Sequence, residues 1–133
     1  MDEKIRDIHV VGAVIKENEK ILCAKRGNTK TLPNMWEFPG GKIEKGETPE
    51  IALIREIQEE MQCLVEVHEK IAHTIYEYDF ATVHLTTFNC SIASGIPILK
   101  EHSEIKWLSI QELNNLDWAP ADIPTVYKLT EKR

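Results

Sequence analysis

Residues 8–15 are almost continuously apolar and β-branched, with Gly12 and Ala13 inside the run. A run of that kind predicts a strand buried on both faces. Glu17-Asn18-Glu19-Lys20 is a polar turn, and residues 21–25 read as the returning strand of a hairpin. Residues 27–35 are rich in Gly, Asn, Thr and Pro and predict a loop. The period then changes. Ile51, Ile54, Ile57 and Met61 recur at helical spacing and predict an amphipathic helix with these four on its apolar face. Thr48 suits the N-cap and Pro49 the first helical position.

Beyond the helix, residues 64–67, 70–78 and 82–92 predict strands, and residues 94–103 a longer loop. A short strand containing Trp107 follows over residues 104–108. Ser109-Ile110-Gln111-Glu112 matches a capping box and predicts a short helix. A last helix is expected from near Ile123 to about Thr130. The order is strands, helix, strands, helix, which predicts an α/β chain with a mixed sheet and helices packed against it.

The length of 133 residues suits one domain over 1–133. The 16 Lys plus Arg and 22 Asp plus Glu leave a net charge of −6. That balance argues against a nucleic-acid polymer as partner, which calls for a basic stripe. Cys23, Cys63 and Cys90 are widely spaced and form no CxxC pair, so neither a disulfide framework nor a zinc site is indicated. The charged start has no apolar leader, and no apolar run approaches the ~20 residues of a membrane span. The expected setting is the cytoplasm, as a monomer or homodimer without a membrane partner.

The predicted helix carries Glu56, Glu59 and Glu60, spaced i, i+3 and i+4. At about 100° per residue they share one face, where like charges repel. Hard divalent cations answer such a cluster, because Mg²⁺ takes carboxylate oxygens, water and substrate phosphates. Gly40-Gly41 just upstream is expected to let the backbone approach closely, with φ values other residues resist.

The stretch from Gly41 to Cys63 resembles the Nudix box, G-x5-E-x7-R-E-U-x-E-E-x-G-U, where U is a bulky aliphatic residue. Gly41, Glu47, Arg55, Glu56, Ile57, Glu59 and Glu60 fall on its fixed positions. Gln62 and Cys63 depart from the last two. A Gly at that place suits a left-handed helix C-cap, and Gln there costs about 1 kcal/mol or the helix ends differently. Trp36-Glu37-Phe38-Pro39-Gly40-Gly41-Lys42 is similar to the MutT-type branch.

The resemblance implies the Nudix fold, an α/β/α sandwich around a mixed sheet. It also implies Mg²⁺-dependent hydrolysis of nucleoside triphosphates to the monophosphate and pyrophosphate, with Mn²⁺ as a substitute cation and a small-molecule nucleotide as partner. Glu56, Glu59 and Glu60 are the implied metal ligands, with the Gly40 carbonyl and Glu101 as further ones. A box glutamate or Glu101 serves as general base. Arg55 orients a carboxylate, either Glu47 or one of the ligands. Arg26 contacts substrate, and Phe38 forms core or pocket wall. His102 is expected to face solvent, and His9, His73 and His84 to be hydrogen-bonded strand residues. A non-catalytic nucleotide sensor is the competing expectation, against which the intact carboxylate set weighs.

Base choice points to Asp122, in Ala119-Pro120-Ala121-Asp122-Ile123-Pro124. An ionised carboxylate accepts hydrogen bonds and suits an amino edge such as cytosine N4. The wording resembles the CTP-pyrophosphohydrolase branch, so CTP, dCTP or modified cytosine nucleotides lead, with 8-oxo-dGTP as the alternative. Asp122 also suits the N-terminus of the last helix.

Overall fold

The computed structural model describes residues 6–131. Seven strands form one mixed sheet: β1 (Asp7–Glu17), β2 (Lys20–Lys25), β3 (Trp36–Glu37), β4 (Gly40–Lys42), β5 (Leu64–Glu77), β6 (Thr82–Ser94) and β7 (Glu104–Leu108). Helices α1 (Pro49–Met61) and α2 (Ile123–Thr130) accompany them. The main order is β3-β2-β1-β6-β5, with β4 beside β1 and β7 beside β2. β1 runs parallel to β6, and every other named pairing is antiparallel.

The continuous apolar run of β1 has the expected cause. Val11, Ala13 and Ile15 join a core with Leu53, Ile57 and Met61 of α1. Val14 joins a second core with Trp36, Phe38, Leu113, Trp118 and Val126 of α2. One strand thus feeds two cores, and the layers are helix, sheet, helix. Truncating Leu53, which is 0% exposed, to Ala would cost ~2–5 kcal/mol.

Several elements differ from the sequence reading. The two strands expected over 64–78 are one strand, β5, with irregular pairing between Val67 and Ala72. The extra residues bend it without ending it. The hairpin turn is only Asn18-Glu19, both with positive φ, so Glu17 and Lys20 belong to the strands. β3 and β4 are too short to show a period. The capping-box segment forms a 3₁₀ helix, Ile110–Asn115, and the Ser109 amide donates to Glu112 at 2.9 Å.

The apolar face of α1 is also redrawn. Ala52, Leu53, Ile57 and Met61 are buried, whereas Ile51 is 55% exposed. At 100° per residue Ile51 lies some 120° from Ile57, outside the face that Leu53 and Ile57 define. Thr48 caps the helix by accepting from the Ile51 amide at 3.2 Å. Gln62 adopts the left-handed conformation at the other end (φ 54°), so the helix stops as a glycine would stop it, with the strain carried by Gln. Among the described residues, no helix is long and apolar enough to cross a membrane.

Candidate active site

The buried face of α1 includes part of its acidic row. Glu56 and Glu60 sit one turn apart and follow Ala52, so they flank the core instead of lying opposite to it. The Glu56 side chain is 14% exposed. Glu60 Oε1 is buried without a hydrogen-bond partner. Burial, with Glu56, Glu37 and Glu101 nearby, pushes the Glu60 carboxyl up to about 8. Burial also raises Glu56 above the ordinary carboxylate range, against the pull of Arg55. Glu59 is turned further toward solvent. Its side chain is 59% exposed and it pairs with Arg55 at 3.2 Å, one step around the helix from the buried row.

Arg55 gathers the surrounding carboxylates as expected. Its Nε and Nη2 donate to both oxygens of Glu47, at 2.6 and 2.9 Å, and Nη1 donates to Glu56 at 3.1 Å. A bidentate pair of this kind fixes orientation as well as charge. Arg55 and the Glu44 amide hold the Glu47 carboxyl down at about 2. Nη2 also donates to the Lys42 carbonyl at 3.0 Å, tying α1 to β4.

Gly40 is required by space, and Gly41 leaves room for the Glu56 carboxyl. Neither has a positive φ, contrary to the sequence expectation. A Cβ on Gly40 would strike the Val11 carbonyl, and one on Gly41 would strike the Glu56 carboxyl. The glycines let β4 lie against β1 while Glu56 packs over it.

A cleft of about 300 Å³ opens beside this cluster, with Glu60, Gly40, Gly41, Arg26, Phe38, Glu101 and Asp122 among its lining residues. Its hub is Glu37, to which the sequence reading gave no role. Arg26 Nη1 donates to one Glu37 oxygen at 3.0 Å, and His102 Nε2 bonds the other at 2.9 Å. The His102 side chain is only 7% exposed, so it is a cleft residue and not the solvent-facing one expected. The available signal was Glu37 itself, a charged residue between two aromatics beside the glycine pair. Arg26 lines the cleft, yet it also donates to Thr31 at 2.7 and 2.9 Å and so braces the loop after β2. Glu101 is half-exposed and stands 4.0 Å from Lys30. His84 and His73 bond Asp7 and Thr86, as strand residues do.

Asp122 lies at another part of the same cleft and is 6% exposed. Its Oδ1 accepts from the Phe38 amide at 3.1 Å. Asp122 occupies the N-cap position of α2, but its side chain makes no capping bond there. Burial first, and Glu37 second, raise its carboxyl well above the ordinary range, against the Phe38 amide and Arg26. Phe38 packs on Trp118 with centroids 4.7 Å apart. Glu37 raises both Glu60 and Asp122, and thereby links these two acids electrostatically.

The donor set suits a hard cation. Among the described residues, no three carboxylate, imidazole or thiolate side chains converge as a ready-made cage. Mg²⁺ does not need one, since it usually takes one or two carboxylates and completes its shell with water and substrate phosphates. Glu60 offers a buried, unpartnered oxygen for that purpose.

The NUDIX domain model matches residues 6–129. The chain belongs to the Nudix family. Its strands and flanking helices are those of the Nudix fold, and solved MutT-type structures share them. The chain is 38% identical over 121 residues to the 8-oxo-dGTP diphosphatase of Escherichia coli K12, covering 90% of this chain and 92% of that protein. It is 36% identical over 117 residues to the CTP pyrophosphohydrolase of the same organism, covering 88% and 87%. A solution structure titled DNA mismatch repair protein MutT, from methicillin-resistant Staphylococcus aureus 252, shares 54% identity. It superposes with a TM-score of 0.79 over 96% of this chain and 98% of that one. The chain is therefore a MutT-type Nudix enzyme with nucleotide diphosphatase activity, and Nudix hydrolases generally use a divalent metal.

Proposed function

We propose that this Nudix enzyme hydrolyses nucleoside triphosphates to the monophosphate and pyrophosphate with Mg²⁺, and selects the base at Asp122. The observation that carries the reading is a single cleft lined by both Glu60 and the buried carboxyl of Asp122.

Glu56, Glu60 and the Gly40 carbonyl are the groups that would hold the cation, with Glu101 from the facing loop. A bound divalent ion neutralises phosphate charge and lowers the pKa of attacking water. Arg55 keeps Glu56 oriented, in the manner of groups that support metal ligands. A box glutamate, or Glu101 where it does not hold the cation, accepts the proton of the attacking water; Glu101 lines the cleft and is half-exposed. Arg26, Lys30 and Lys42 line the same cleft and offset the charge of a triphosphate. The three cysteines are buried and free, which supports a reducing cytoplasmic setting.

For the base, cytosine nucleotides lead. Burial raises the Asp122 carboxyl well above the ordinary range; its oxygens accept from the cytosine N4 amino group, and its protonated form also donates to N3. The protonated form also supports 8-oxo-dGTP as the second reading, because it donates to the O6 acceptor of guanine, which an ionised carboxylate does not. Initial rates of pyrophosphate release on CTP, 5-methyl-dCTP, 8-oxo-dGTP and ADP-ribose test the assignment. A cytosine nucleotide is expected to give the highest kcat/KM. Preference for ADP-ribose would refute the triphosphate reading, and tight nucleotide binding without turnover under varied metals would favour a sensor.

A further inference from the structure

The turn that carries Asp122 is fastened from outside the cleft. Ala121 and Asp122 belong to one 3₁₀ turn, Pro120–Asp122. The Tyr78 hydroxyl accepts a hydrogen bond from the Ala121 amide at 2.8 Å. Ala121 is 4% exposed, so water has little access to replace that acceptor. Tyr78 closes the connection between β5 and β6, where its amide donates to the Ala81 carbonyl at 2.8 Å. Its ring stacks on Phe80, with centroids 5.0 Å apart and planes 9° apart. Phe80 lines the cleft.

We infer that Tyr78 is a positioning residue for base selection, holding Asp122 in register with the Phe80 wall. Its ring steadies one side of the base site and its hydroxyl holds the backbone of the other. The inference rests on the proposed reading of Asp122 and extends it. Hydrogen bonds weaken steeply as angle and distance drift, so a small shift of the Asp122 turn degrades base recognition. The α1 carboxylates that serve the phosphates, Glu56 and Glu60, stand apart from this brace.

Tyr78→Phe keeps the ring and removes only the hydroxyl. The expected result is a KM for the preferred nucleotide raised about five- to tenfold, the worth of one hydrogen bond. Other bases change less, so discrimination narrows, while kcat holds. The Ala121 amide resonance moves upfield in NMR. 3-Fluorotyrosine at position 78 retains an oxygen acceptor and restores most of the discrimination. Unchanged base preference, an equal fall in kcat/KM for every base, or an unmoved Ala121 amide overturns the inference. Asp122→Asn in the same panel separates the two readings. If it shifts base preference and Tyr78→Phe does not, the positioning role alone fails. If Asp122→Asn leaves preference unchanged, base reading at Asp122 fails and the inference fails with it.

Discussion

Half-buried Glu60, with one fully buried oxygen, and buried Asp122 line one cleft, and both have raised pKa values, but their surroundings differ. Glu60 has an oxygen without any donor and three other carboxylates acting on it. Asp122 has an oxygen held by the Phe38 amide and Arg26 partly opposing its shift. Like-charge crowding without a donor makes a group that gains by binding a cation. Crowding relieved by a backbone amide makes a fixed carboxyl, suited to reading the edge of a ligand. On the proposed reading, the same direction of shift serves two ends of one reaction.

The largest expected effect is at Glu60. Glu60→Gln should lower kcat by more than the ~10–100-fold typical of groups that only support a metal ligand. Steady-state kinetics at saturating Mg²⁺ measures it. Near-normal turnover would erase the contrast with Asp122. At Asp122, Asn substitution should alter base discrimination by ~1–3 kcal/mol, the worth of a base-edge contact, with a smaller effect on kcat. Competition between CTP and 8-oxo-dGTP reads it directly.

Arg55→Lys keeps the charge and loses the two-point grip on Glu47, and should cost ~10–100-fold in turnover. Glu59→Gln should cost less than Glu60→Gln, because Glu59 is turned toward Arg55 and solvent. Equal losses at the two would restore the view of one uniform acidic face.

The smallest expected effect is on stability without metal. Glu60 keeps its proton up to about pH 8 when folded and loses it near 4.5 when unfolded. Between those values the folded chain binds more protons, so stability falls as pH rises across that window. Glu47 acts in the opposite sense. Its stabilisation is present above about 4.5 and is lost as pH falls toward 2. Melting with chelator from pH 5 to 8 should show a declining midpoint in the wild type. The decline should flatten in Glu60→Gln, which should also be the more stable protein at pH 8.

Much of this was legible in the sequence because it is local. The Thr48-Pro49 start, the acidic box, the Arg55–Glu47 pair and the doubly buried β1 all follow from short spacings. The hub was not legible because its contacts cross the chain. Glu37 meets His102 at 65 residues' separation, Phe38 meets Asp122 at 84, and Tyr78 meets Ala121 at 43. Spacing alone also assigned Ile51 to the core. Side-chain size and charge do not say which way a helix rolls onto a sheet, and here the roll leaves Glu56 and Glu60 half-buried. The glycine pair was recognised for close approach, but the cause is the crowding of Val11 and Glu56 and not a special φ.

The division of labour between the two acids is tested most directly by kcat/KM for CTP, 5-methyl-dCTP and 8-oxo-dGTP in Glu60→Gln and Asp122→Asn side by side. Glu60→Gln should lower all three by a common factor and keep their ranking, whereas Asp122→Asn should change the ranking. A reordered ranking in Glu60→Gln, or a uniform fall in Asp122→Asn, would contradict the account.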